Sequence, residues 1–394
     1  MKTKITLFSL IIFFTCISCN KEEIINELSD IDISQSSNGI VEVPKKTKDV
    51  LKGYFTKYTY VKAQNGRPIH IFAQSLVDDE KIIRARNILK MYITDLSNSE
   101  YGNTKFFIGN SMADRNAALF FFNSQKSYED SISDLRFVPF NYQDLYGTES
   151  ILEGSPIYID NNTRDASYEE ILHLVQDYGI SPTLPLFQEE LDNATEEAVR
   201  NNVYNPPSEL PKADHDQEYF ASIWDSYLGA WEHSNNPEYK YNSRESLKKY
   251  DPKGYQIIKR FLPNHLLYNA RIWKGFKGVF YMEKDVKLSY TFKSQYLKDA
   301  TLTGDLNSGL SGNYRDNTLT GNSGNNMLYG LSGNDNINGK EGIDFACYRG
   351  NRDEYNIVSK GEITTITDKT SNRDGIDTLT NIEYIQFKDN IIIL

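Results

Sequence analysis

Along the chain, the spacing of apolar and polar positions changes character twice. Segments 53–63, 68–74, 105–109, 117–122, 136–141 and 156–159 have strand character. Between the second and third, Ile82, Ala85, Ile88, Leu89 and Tyr92 recur at helical spacing, which predicts an amphipathic helix over 78–96. From residue 165 the helical period takes over and predicts helices near 165–178, 186–203, 214–231 and 254–265. Strands early and helices late predict an α+β body over 47–300.

Beyond residue 300 a third period begins. Residues 311–346 read as four nonapeptides, SGNYRDNTL, TGNSGNNML, YGLSGNDNI and NGKEGIDFA. Gly312, Gly321, Gly330 and Gly339 hold the second position, and Arg315, Gly324, Gly333 and Gly342 follow three later. Asn317, Asn326, Asp335 and Asp344 come next, then the aliphatic Leu319, Leu328, Ile337 and Ala346. A flexible Gly/Asn linker would have no reason to keep an aliphatic residue on a nine-residue clock. Glycines permit tight turns, Asp and Asn oxygens suit a hard cation, and the aliphatic position can fill an interior. The pattern resembles the hemolysin-type (RTX) calcium-binding repeat. That resemblance implies a parallel β-roll over 301–394 holding Ca²⁺ through Asn317, Asn326, Asp335 and Asp344. Arg315 in place of glycine, and Asn at two of the four acidic positions, imply only one or two strong sites. The following DGIDTLTNIEYIQFKDNIIIL resembles the tail that caps the roll in serralysin-type secreted proteins. A roll needs such a cap, because its last turn would otherwise expose apolar edge.

Residues 1–18 combine Lys2 and Lys4 with an apolar run over 5–14, followed by Cys16-Ile17-Ser18-Cys19. This is a secretory signal of the lipoprotein kind, too short to span a membrane, with Cys19 as the residue to be acylated. Asn20-Lys21-Glu22-Glu23 resembles the export signal of some Gram-negative surface lipoproteins. The expectation is an exported protein, lipid-anchored to the outer membrane and facing the exterior, where weak calcium sites fill. RTX proteins usually carry a C-terminal export signal, so repeats behind an N-terminal one are expected to be structural. The polar stretch 19–46 reads as a flexible tether. Of three cysteines, Cys347 is left without a partner once Cys16 is cleaved away and Cys19 is lipidated. Net charge is −11 and no basic stripe occurs, so nothing favours nucleic acid as a partner and none is expected.

Candidate chemistry lies in Tyr168-Glu169-Glu170-Ile171-Leu172-His173. On a helix, Glu169 and His173 project together, with Glu170 beside them. This looks like the H-E-x-x-H helix of zinc metallopeptidases with its first His replaced by Glu. The resemblance implies Glu169 and His173 as metal ligands and Glu170 as general base. Further on, Glu218-Tyr219-Phe220-Ala221 resembles the third-ligand helix of gluzincins of the anthrax-lethal-factor type, which implies Glu218 as third ligand; His215 and Tyr227 stand nearby in the sequence as candidate auxiliary groups. Two carboxylates would cancel the charge of Zn²⁺, acidify its water less and make a harder divalent ion more competitive. Helix-terminus carboxylates and capping explain the same residues without chemistry. The reading is therefore a zincin-like body followed by a calcium β-roll, hydrolysing a peptide or protein substrate. The alternative is a catalytically inactive surface binding or adhesion protein that keeps the fold.

Overall fold

A computed structural model describes residues 22–234 and 236–394, so the signal segment and Cys19 lie outside the described residues. Among the described residues, no helix is long and apolar enough to cross a membrane. The chain divides into two compact units.

The first unit comprises residues up to Asp95, Thr104–Ser150 and Ser167–Pro185. Its five-stranded sheet runs β1 (Val41–Glu42), β2 (Lys57–Lys62), β3 (Pro68–Ala73), β4 (Ala117–Phe122) and β5 (Asn141–Tyr146), in that order. β1, β2 and β3 pair antiparallel, whereas β3, β4 and β5 are parallel. Every residue of β3 and β4 is buried, as expected of strands covered on both faces. On one face Tyr58, Phe72, Phe120 and Phe122 join Phe55 and Phe140 in an aromatic core. Helices Asp79–Ile93, Lys105–Asp114 and Ser167–Val175 also pack against the sheet.

Several expectations are corrected here. Segment 105–109 opens a helix, not a strand; a short apolar run such as Phe106-Phe107-Ile108 carries no period that separates the two. Segment 136–141 is not a strand either, since β5 begins only at Asn141. Segment 156–159 is the helix Pro156–Asp160, with Pro at its start and the Ser155 hydroxyl accepting from the Tyr158 N–H. The described part of the expected tether is packed. Residues 22–29 are helical, Ile24, Leu28 and Val43 are buried in the aromatic core, and β1 extends the sheet.

The second unit comprises Leu96–Asn103, Ile151–Ala166 and Leu186–Leu394. Its helices include His215–Tyr227, Arg244–Tyr250 and Pro252–Phe261. Phe187, from the helix Pro185–Arg200, packs its ring against Phe220 and Phe261. The rest is a roll of two sheets. One sheet has the order β14-β15-β16-β12-β10-β8-β6 and the other β18-β17-β13-β11-β9-β7. Strands β6 (Leu266–Ile272), β7 (Gly278–Tyr281), β8 (Leu297–Leu302), β9 (Ser308–Ser311), β10 (Thr318–Thr320), β11 (Met327–Tyr329), β12 (Asn336–Asn338) and β13 (Phe345–Cys347) alternate between the sheets and pair in parallel. After them come β14 (Tyr355–Lys360), β15 (Ile363–Asp368), β16 (Ile376–Thr380), β17 (Tyr384–Gln386) and β18 (Ile391–Ile393).

The roll begins earlier than the expected residue 301. Ala270 pairs with Ala300, and Ala300 with Leu319; Phe280 pairs with Leu310, and Leu310 with Leu328. All six side chains are fully buried, so β6, β7 and β8 build the same interior ladder without the glycine-rich turns that make the repeats visible. At the other end the hairpin β14–β15 interrupts the repeat. β16 then resumes it beside β12, with Ile337 opposite Leu379.

Candidate metal centre

The helix Ser167–Val175 forms because Ile171, Leu172, Leu174 and Val175 make a continuous apolar surface, all fully buried. Its other side carries Glu169, Glu170 and His173. A π-helical turn, Gln176–Ile180, follows directly; such turns are frequent at functional sites. Glu169 and His173 are 7% and 5% exposed, which is unusual for a carboxylate with no functional or pairing role.

Glu169 and His173 share one helix of the first unit, whereas Glu218 lies on the helix His215–Tyr227 of the second. An imidazole and a carboxylate four apart on one helix suit a divalent cation in donor type. Glu170 lies beside this pair. Its Oε2 accepts from the Gln143 amide at 2.7 Å and lies 3.7 Å from His173 Nδ1. The surroundings are acidic. Burial, with the Glu170 charge contributing, raises the pKa of Asp144. Glu149 is pushed up to about 7, first by burial and then by the charges of Glu170, Asp144 and Glu169. Sequence reasoning missed Gln143, Asp144 and Glu149, because β5 was placed too early and nothing in its spacing ties it to a helix beginning at residue 167.

The two auxiliary candidates have other occupations. His215 Nε2 lies 3.3 Å from the Leu210 carbonyl oxygen, with its ring edge-on to Tyr204. Tyr227 is fully buried, donates its hydroxyl to Asn264 and lies under the Arg244 guanidinium. Burial raises its pKa, so it is a poor proton donor.

In the roll, Asn317, Asn326, Asp335 and Asp344 all sit at the turns preceding their strands and are buried. Asp335 Oδ1 accepts from the Asn317 N–H and Asp344 Oδ1 from the Asn326 N–H, both at 2.7 Å. Their Oδ2 atoms are buried with no hydrogen-bond donor. Burial pushes Asp335 up to about 7 and Asp344 up to about 6. A β-carbon on Gly330 would lie 2.2 Å from Asp335 Oδ2, and one on Gly339 2.4 Å from Asp344 Oδ2. Buried carboxylate oxygens without donors, kept open by glycine, suit a hard divalent cation such as Ca²⁺.

The RTX calcium-binding nonapeptide repeat matches this chain in four copies, over residues 311–346. No curated protein matches it. Among solved structures, the crystal structure of extracellular lipase LipA from Serratia marcescens aligns with TM-score 0.19 and 9% identity, over 85% of this chain and 55% of the lipase. The chain thus spans about half the lipase's length, and a likeness at that score carries no argument. The repeats make calcium binding the established part of the chemistry.

Proposed function

We propose that this is an exported, lipid-anchored surface protein whose roll is held together by Ca²⁺ and whose body is a divergent metal-dependent peptidase. The supporting observation is that Glu169 and His173, four residues apart on one helix, are both buried. Glu169 and His173, with Glu218 as the resemblance implies, would hold the ion, zinc or a harder divalent cation. When bound, the ion supplies a polarised water and a Lewis acid for the scissile carbonyl. Glu170, beside His173 on the same helix turn, takes the water's proton and returns it to the leaving amine. Gln143 aims that carboxylate by donating to Oε2. The lipoprotein signal over 1–18 and Cys19 support the anchoring and the outer-membrane location, and the acidic surface argues against nucleic acid.

The test is metal analysis of chain purified without chelator. One equivalent of transition metal, lost in both His173→Ala and Glu218→Ala, is expected. Glu170→Gln should retain the metal and cleave a casein or peptide-library substrate roughly 10²–10³-fold more slowly. A metal-free native chain defeats the proposal. A second reading is a surface binding protein without hydrolysis, because two carboxylate ligands would cancel the ion's charge and leave its water weakly acidified. Bound metal with no cleavage of any peptide would select that reading.

A further inference from the structure

The four repeat turns are not alike. In the first two, asparagine amides close the turn. Asn317 Oδ1 accepts from the Asn313 N–H at 2.9 Å, and Asn317 Nδ2 donates to Lys298 O at 2.7 Å and Asn313 Oδ1 at 3.2 Å. One repeat later, Asn326 Oδ1 accepts from the Asn322 N–H at 2.8 Å, and its Nδ2 donates to Ser308 O and Asn322 Oδ1. Both side chains are fully satisfied, and their –NH₂ groups occupy carbonyl oxygens that a cation would use.

The third and fourth turns lack this clasp. Leu331 and Lys340 stand where the first two turns have Asn313 and Asn322, and both adopt left-handed backbone, φ +70° and +76°. That conformation costs a residue with a β-carbon roughly 1–2 kcal/mol. Asp335 and Asp344, at most 1% exposed, keep Oδ2 without a donor.

The carboxylate ladder then continues past the repeats. After the intervening hairpin, Gly375-Ile376-Asp377-Thr378-Leu379 repeats the pattern of Gly342-Ile343-Asp344-Phe345-Ala346. Asp377 Oδ1 accepts from the Asp335 N–H at 2.9 Å, as Asp335 does from Asn317. On the other edge, Glu383 Oε2 accepts from the Asp344 N–H at 2.8 Å. Each of the two open turns therefore has a second carboxylate stacked on it from a segment outside the nonapeptides.

We propose that the roll carries two calcium ions, both at its C-terminal end: one at Asp335 and Asp377, the other at Asp344 and Glu383. The first two repeat turns are metal-free, with amide protons standing in for the ion. Calcium on this arrangement joins the repeats to the strands beyond the hairpin, so the cap docks only when the ions are present. Asn317 and Asn326 are turn-closing residues, not ligands.

The test is calcium titration of the full chain by isothermal calorimetry, on a Glu218→Ala background so that the body's trio contributes nothing. Two ions per chain are expected. Asp377→Asn should remove one and Glu383→Gln should weaken the other at least tenfold. Circular dichroism in saturating Ca²⁺ checks that each variant is folded, and because the two variants read separate edges, one misfolded variant leaves the other edge tested. Any count other than two in the Glu218→Ala parent, or a folded Asp377→Asn chain that still takes two ions, overturns the proposal.

Discussion

His70 is one of only five histidines, and at 1% exposure it is a core residue. Its Nδ1 lies 2.9 Å from the Tyr58 hydroxyl, and its ring lies against Phe72 and Phe140. Burial pushes its pKa down to about 3, from an ordinary value of 6.5. Between those values the unfolded chain binds the extra proton. The contribution of His70 is therefore intact above pH 6.5 and lost as pH falls toward 3, by about 4–5 kcal/mol in total. Urea unfolding across that window should show wild type losing stability faster than His70→Gln, and parallel curves would refute the assignment. Asp251 makes a second residue-scale case. Its Oδ2 accepts from the Tyr219 and Tyr239 hydroxyls, both at 2.7 Å, and its Oδ1 from the Gly254 N–H. Asp251→Ala would strand two buried hydroxyls and should cost roughly 3 kcal/mol or more, measured by denaturant unfolding. Neither role is legible in the sequence, since a lone His or Asp carries no period.

At the scale of elements, legibility followed periodicity. β4 was read with its observed bounds, because Ala117 to Phe122 form an apolar run too short for a helix and bounded by polar residues. The helices around Ile82–Tyr92 and Ile171–Val175 were equally plain from their stripes. The helix Lys105–Asp114 was not, because tertiary packing against β3 and β4 decides a short apolar run that local spacing leaves open. The resumption of the roll at β16 was visible only as a cap. Gly375 makes it possible: its φ is +69°, and a β-carbon there would come within 1.8 Å of the Gly333 carbonyl oxygen. That obstacle is backbone and cannot swing aside. Gly375→Ala should lower the roll's melting transition in saturating Ca²⁺ by several degrees or more, read by scanning calorimetry.

For the molecule as a whole, the N-terminal segment and the proposed calcium ions are the two stabilising features most open to measurement. Ile24, Leu28 and Val43 fill the aromatic core of the first unit, so deleting residues 22–46 should destabilise that unit by several kcal/mol. A flexible tether would be removed without a change in melting temperature, so the same measurement distinguishes the two. Chelation with EGTA should lower the roll's melting transition, because Asp335 and Asp344 would be left as buried carboxylates without a counter-ion. One unaltered transition in excess EGTA would count against calcium as a structural element.

The sequence by itself determined the calcium repeats, because a nine-residue period forces glycine, oxygen ligand and aliphatic residue into fixed places on every turn. It also determined that Glu169, Glu170 and His173 share a helix, since helical geometry alone aligns residues four apart. Tertiary structure alone decided that β6 to β8 belong to the roll and that Ile24, Leu28 and Val43 are core. It alone decided that Gln143 reaches Glu170, and that asparagine closes two turns while aspartate leaves two open. Each of these depends on pairing between segments distant in the chain, where the partner's register, and not local spacing, sets which atoms meet.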